Sequence, residues 1–133
     1  MSVANGKSES QIRMELLDLQ RTLQQMGREL TNGHIGGYLQ LASELDLDTI
    51  ASDLEGGDVE YDPTVFPAVF YDIATDPLTV VIFSDGRLCV VDGSSDAAVR
   101  GAILETAERL GELGVYTGDR PAEDAVVVVN IPT

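Results

Sequence analysis

The chain has 133 residues, of which 44% are hydrophobic, and this is enough to bury the core of one domain. It carries 23 Asp and Glu residues against 8 Lys and Arg, so its formal net charge is −15. No run of about 18 apolar residues and no signal-peptide pattern occurs, so we expect no membrane span and a cytoplasmic location. The single cysteine, Cys89, excludes an intramolecular disulfide.

The acid excess is spread along the chain, and Lys7 is the only lysine. This composition is typical of a protein from a very salty cytoplasm. High salt screens the repulsion between an acidic protein and nucleic acid, because the Debye length falls to about 3 Å at 1 M. It also removes the counterion release that drives phosphate binding, so any contact with nucleic acid has to depend on shape and apolar insertion.

An amphipathic helix is predicted over residues 9–31, after a polar segment, 1–8, that we expect to be disordered. Its apolar residues recur at alternating spacings of four and three and form one heptad seam: Ile12, Leu16, Leu19, Leu23, Met26 and Leu30. The seam covers under three heptads and is too short to hold a coiled coil alone. It therefore packs on the chain's own sheet or forms part of a larger dimer interface.

The remaining elements alternate between strands and helices. A strand is predicted over 34–42 and a short helix over 46–54, with Asp46 as its N-cap. A meander of antiparallel strands follows between 58 and 93, and its first strands cover 61–70 and 79–86. A longer helix then runs from Ser95 to about Leu113, and a last apolar strand covers 125–131.

Neither face of the predicted meander is polar. Phe66, Ala68 and Phe70 share one face, whereas Val65, Val69 and Ile73 share the other. The following strands behave in the same way: Thr79, Val81, Phe83, Arg87, Cys89 and Val91 alternate with Val80, Ile82, Leu88 and Val90. A sheet with one solvated face would alternate apolar and polar residues, so this sheet needs a cover on both sides.

The order strand, helix, four strands, helix over about residues 33–114 resembles one repeat of the TATA-box-binding protein family. The resemblance rests on short segments that occur in the same order as in the family: Glu44–Ala51, Val59–Pro67, Thr79–Arg87 and the helix after Gly93. It implies an α+β fold with a curved antiparallel sheet of about five or six strands and helices on the convex face. Residues 9–31 are then an added helix, and 115–133 form a loop and a C-terminal strand.

The family's saddle contains two such repeats, so the resemblance implies a homodimer or a hetero-complex that completes it. In that family the concave sheet face lies in the DNA minor groove, and two phenylalanines per repeat wedge between base steps. Phe66 and Phe83 occupy the matching positions, and Arg87 matches a basic residue that approaches phosphate. The implied surface for duplex DNA or a transcription factor also includes other concave-face residues: Tyr38, Phe70, Val81 and Val91.

Several positions depart from the family's pattern. Asp72 stands where the family has an arginine, His34 replaces an asparagine and Gly36 replaces a valine. Three covers for the concave face therefore compete: duplex DNA, a protein partner and the chain's own N-terminal helix. With the last of these, Phe66 and Phe83 are simply core residues.

The sequence offers no catalytic constellation. His34 is the only histidine, no phosphate-binding loop is present, and the acids Asp46, Asp48 and Asp53 lack calcium-loop spacing. We therefore predict a non-enzymatic, transcription-related protein without cofactor or metal, a dimer that binds DNA or a transcription factor. The alternatives are a protein–protein interaction module without DNA binding, and a substrate-binding accessory of a nucleic-acid enzyme.

Overall fold

The structure is a computed structural model that describes residues 9–27, 35–41, 44–55, 57–73, 78–116 and 125–130. Its elements in chain order are α1 (Glu9–Gln25), β1 (Ile35–Gln40), α2 (Leu47–Asp53), β2 (Gly57–Glu60), β3 (Ala68–Ile73), β4 (Thr79–Phe83), β5 (Arg87–Gly93), α3 (Asp96–Leu113) and β6 (Val127–Asn130). This order of helices and strands confirms the predicted α+β class.

The six strands form one sheet in the order β2-β3-β4-β5-β1-β6, and all neighbours are antiparallel. The meander β2 to β5 occupies one side of the sheet. β1 lies between β5 and β6, with Tyr38 opposite Cys89 on one neighbour and Val127 on the other. The apolar strand β6 therefore pairs with β1, and it is the outermost strand on that side of the sheet among the described residues.

Helices α2 and α3 cover one face of the sheet, which we call the α2/α3 face. Its buried core contains strand residues at alternate positions together with helix residues: Val69, Tyr71, Val80, Ile82, Leu88, Val90, Ile50, Ile103 and Leu110. The predicted cap at Asp46 is confirmed, because its carboxylate accepts from the backbone N–H of Thr49. Ser95 is the N-cap of α3, and its hydroxyl oxygen accepts from the backbone N–H of Ala98. Gly114 ends α3 with a positive φ of 80°.

Three predicted boundaries in the chain are wrong. The strand predicted over 79–86 ends at Phe83, because a turn follows in which the Gly86 N–H donates to the Phe83 carbonyl oxygen. The segment 61–70 is not one strand, because Asp62 accepts hydrogen bonds from the N–H and hydroxyl of Thr64 and closes a turn. β3 therefore begins only at Ala68, and Val65 in the turn is 62% exposed instead of sharing the buried face with Val69.

Helix α1 ends at Gln25 and not near residue 31. Gly27 follows with a φ of 82°, which is outside the right-handed helical region and is a conformation that favours glycine. Some predicted residues lie outside the described ones: Leu30, the predicted helix end at 31, His34 and residues 1–8.

Val99 of α3 packs directly over the sheet at Gly93, where a side chain has no space. A Cβ at Gly93 would clash with Val99 Cγ2 and lie 2.8 Å from the backbone carbonyl oxygen of Ile35. Gly101, in contrast, is on the exposed side of α3, and nothing lies within 4 Å of the corresponding Cβ position. The two glycines are therefore a matched pair for testing how closely α3 approaches the sheet.

We expect Gly93→Ala to lower the free energy of unfolding by about 1–3 kcal/mol, because the backbone of Ile35 cannot move aside without breaking sheet pairing. Gly101→Ala should raise it by about 0.5–1 kcal/mol, because alanine has the higher helix propensity. Chemical denaturation of the unaltered chain and both variants measures these changes in the free energy of unfolding. Equal effects of the two substitutions would contradict the described packing of α3.

Candidate binding face

Helix α1 covers the opposite face of the sheet, which we call the α1 face. Its buried seam residues, Ile12, Leu16, Leu19 and Leu23, form one cluster with residues of five strands: Tyr38, Ala68, Phe70, Val81, Cys89, Val91 and Val129. Leu16, Leu23, Tyr38 and Val81 are each 0% exposed. The structure thus places the predicted seam on the chain's own sheet, with Met26 half-buried at the end of the seam.

The other residues of α1 lie at the edges of this seam or on the outer side of the helix. Met14 is 60% exposed on the outer side of the helix, and Asp18 is also exposed. Leu17 is half-buried and packs at the margin of the cluster. A single apolar stripe with a polar outer side is what a helix needs to lie flat on a sheet.

Polar contacts, of which three are described here, also fix how α1 lies across the strands. The Gln20 side-chain amide donates to the Val91 carbonyl oxygen at 3.4 Å, and Gln20 is itself buried. The Arg13 Nε donates to the Asn130 carbonyl oxygen at 3.1 Å. The third contact is an ion pair between Arg87 and Glu15. These contacts join the helix to β5 and β6.

Arg87 forms ion pairs with carboxylates from two different parts of the chain. Its guanidinium binds the Glu15 carboxylate of α1 and, at 2.8 Å, the Asp85 carboxylate of the turn before β5. Burial lowers the pKa of Arg87, but the hydrogen bonds to Asp85 and Glu15 outweigh that effect and raise the pKa above its ordinary value. Arg87 and Glu15 are 25% and 24% exposed, so the pair is partly shielded from water.

An aromatic group lies next to this ion pair. The Phe66 ring stacks on Phe70 with centroids 5.7 Å apart and meets the edge of Phe83 at 6.0 Å. The Arg87 Cζ lies 4.2 Å from the centroid of the Phe83 ring. The structure therefore brings together Phe66, Phe83 and Arg87, which we call the aromatic–cation group, and leaves both phenylalanines only half-buried.

Asp72 lies further along β3, opposite Thr79 of β4. The Thr79 hydroxyl donates a hydrogen bond to the Asp72 carboxylate, while the Thr79 backbone N–H donates to Asp92 at 3.3 Å. Asp92 is almost fully buried. The carboxylate that departs from the family's arginine thus has a hydroxyl donor beside it on the α1 face.

Sequence reasoning did not find Glu15, Gln20 or Asp85 as residues of this site. Glu15 lies three residues after Ile12 and four before Leu19, so its position at the edge of the seam could have been read from helical spacing. Its pairing with Arg87 could not have been predicted from the sequence, since the two residues are 72 positions apart.

Within the described ranges, no cluster of three or more His, Cys, Asp or Glu residues has the arrangement of a metal site. None of the helices in that part of the chain is both long and apolar enough to cross a membrane.

We expect Leu16→Ala to weaken the attachment of α1 to the sheet by about 2–5 kcal/mol, because Leu16 is fully buried in the cluster. Met14→Ala on the exposed side of the same helix should change it by less than about 0.5 kcal/mol. Hydrogen exchange of the α1 backbone amides measures both changes. If the two variants exchange alike, the seam does not face the sheet in solution.

Comparison with known proteins identifies related sequences. The sequence model of the family described as "Transcription factor TFIID (or TATA-binding protein, TBP)" matches residues 34–113. The TATA-box-binding protein of Methanothrix thermoacetophila is 28% identical over 117 residues, which cover 83% of this chain and 64% of that protein. TATA-box-binding protein E of Halobacterium salinarum is 33% identical over 93 residues, or 70% of this chain and 47% of that protein.

Among solved structures, Methanococcus jannaschii TBP matches with a TM-score of 0.54 and 21% identity, over 80% of this chain and 65% of that one. At this identity the match shows a shared fold. The chain spans about half to two thirds of the length of these relatives. Neither α1 nor β6 lies within the residues matched by the family model.

Proposed function

The chain belongs to the TATA-box-binding protein family, and from this membership we propose that it is a non-enzymatic transcription protein whose α1 face binds duplex DNA. The observation that carries the proposal is the aromatic–cation group of Phe66, Phe83 and Arg87. Apolar side chains that wedge between base steps, with a cation near the phosphates, are the chemistry of minor-groove binding.

The remainder of the α1 face suits a minor-groove surface as well. Tyr38, Phe70, Val81 and Val91 give it a continuous apolar centre, which α1 covers in the structure. With a net charge of −15, the protein gains little from counterion release, so apolar insertion has to supply the affinity. We therefore expect binding that persists at high salt and depends on the two phenylalanines.

We also propose that two copies assemble into the functional unit. The α1 seam is already buried within one chain, so it is not available as the joint in this form. The two sheet edges differ: β2 has exposed acids at Asp58 and Glu60, whereas β6 has the valines Val127–Val129. Charged residues protect an edge against pairing, and an uncharged edge permits it. We therefore assign the joint between copies to β6.

A second candidate is a protein-binding module that does not contact DNA. This candidate is favoured because the α1 face already binds a protein segment: the amphipathic helix α1 covers it, and Glu15 of that helix pairs with Arg87. The Asp72 carboxylate on the same face would also repel phosphate. A partner protein that supplies a similar helix would use the same residues.

We expect the full chain to bind duplex DNA in molar potassium chloride and the variant Phe66→Ala/Phe83→Ala to lose at least about tenfold in affinity, because base–aromatic contacts contribute about 1–3 kcal/mol each. Val65→Ala is the matched control, since Val65 precedes Phe66 but is exposed in the turn. Fluorescence anisotropy of a labelled duplex measures the DNA affinity of all three proteins.

Undetectable binding by the unaltered chain, or equal binding by the double variant, would contradict the DNA proposal. The first result would favour the protein-binding module. To separate lost contacts from lost folding, the double variant should retain the circular dichroism spectrum and unfolding midpoint of a folded protein.

For the dimer, we expect Val128→Lys on β6 to convert a dimer into a monomer, because a charged residue protects a strand edge against pairing. Val59→Lys on β2 is the control, since Val59 and Val128 are both half-buried and pack against the same core. Multi-angle light scattering in molar potassium chloride gives the mass. A monomeric unaltered chain, or dissociation by Val59→Lys alone, would contradict the assignment.

A further inference from the structure

The sheet has two separate cores, and α1 belongs to only one of them. On the α2/α3 face, residues such as Leu88, Val90 and Ile103 pack together without any contribution from α1. On the α1 face, every helical residue of the cluster comes from α1. The folded sheet with α2 and α3 therefore has its own hydrophobic core if α1 leaves.

The interactions of α1 also differ from those of a fixed core helix. Most of the stability of a helix in a protein comes from packing of its apolar side, so α1 depends on its contacts with the sheet. Its polar contacts with the sheet include the Glu15–Arg87 ion pair, which is about one quarter exposed, and hydrogen bonds from the Arg13 and Gln20 side chains to backbone carbonyl oxygens. A helix that is attached through one apolar seam and side-chain polar contacts such as these can detach as a unit.

The ion pair involves the same guanidinium that the proposed function assigns to phosphate. Arg87 cannot direct its donors fully to Glu15 and to a DNA phosphate at the same time, since Asp85 already accepts from its Nε. The Glu15 carboxylate thus occupies the position of an anionic ligand group. Likewise, the α1 seam covers the apolar centre on which the bases would lie.

We propose that α1 is a detachable cover that competes with DNA for the α1 face, and that Glu15 is the latch that holds it closed. The competition with DNA rests on the proposed function, whereas detachment of α1 does not. The cover keeps an apolar face out of water until a ligand with an anionic group replaces both the seam and the carboxylate. The affinity for that ligand is reduced by the fraction of molecules that are closed.

The chain contains its own reporter of this opening. Cys89 is its only cysteine, is 1% exposed and lies in the cluster beneath α1. A thiol reagent can reach it only when the cover is off or the protein is unfolded. The labelling rate of Cys89 therefore measures detachment in the full chain, without any ligand.

The first experiment compares Cys89 labelling by a disulfide reagent in the unaltered chain, Glu15→Gln and Asp18→Asn. We expect Glu15→Gln to label about threefold to tenfold faster, because a partly buried ion pair to Arg87 is lost. Asp18→Asn removes a charge from the exposed side of the same helix and should label at the original rate. Equal rates for all three proteins would overturn Glu15 as the latch.

The denaturant dependence of labelling separates detachment from global unfolding. Detachment exposes only α1 and the face beneath it, so the labelling rate should rise less steeply with urea than global unfolding does. Labelling with the full urea dependence of global unfolding would overturn the detachable cover.

A third measurement tests competition with DNA. If α1 and duplex DNA exclude each other, Glu15→Gln should raise the apparent DNA affinity by the same factor by which it accelerates Cys89 labelling. An unchanged affinity, with faster labelling, would overturn the competition. Absence of DNA binding by both proteins would overturn the proposed function but leave detachment of α1 supported by the labelling data.

Discussion

The structure depends on the mutual burial of two apolar surfaces, the seam of α1 and the α1 face of the sheet. Neither surface is stable when exposed to water: the helix depends on packing of its apolar seam, and the face is a wide apolar patch around Tyr38, Phe70 and Val81. Because α2 and α3 already cover the other face, α1 makes the sheet a middle layer. The central strands β3, β4 and β5 are therefore largely apolar on both sides and lack the usual alternation of apolar and polar residues.

Polar groups determine where this apolar contact lies. Burial alone would let α1 slide or turn on the apolar face of the sheet, because the hydrophobic effect has no direction. The Gln20 amide on the Val91 carbonyl oxygen and the Glu15 carboxylate on Arg87 give the helix one position. Arg87 therefore links the cover to the aromatic group, since its guanidinium also lies over Phe83.

Much of the fold could be predicted from residue periodicity. The alternation along β3, β4 and β5 assigned residues such as Val81 and Ile82 to opposite faces correctly, because side chains alternate strictly along a strand. The place of α1 could not be predicted, since a heptad seam fits a sheet or a second helix equally well. The turn at Asp62 was not predicted because the segment around it is rich in strand-forming residues. The hydrogen bond from the Thr64 N–H to the Asp62 carboxylate closes this turn and interrupts the predicted strand.

The central claim is that α1 covers the sheet face of its own chain, and nuclear Overhauser contacts test it most directly. In a sample that mixes differently labelled copies, half-filtered spectra distinguish contacts within one chain from those between chains. The structure predicts contacts within one chain between the methyl groups of Leu16 or Leu23 and those of Val81 or Val91. Contacts found only between chains, or none from the α1 methyl groups to the sheet, would contradict the account.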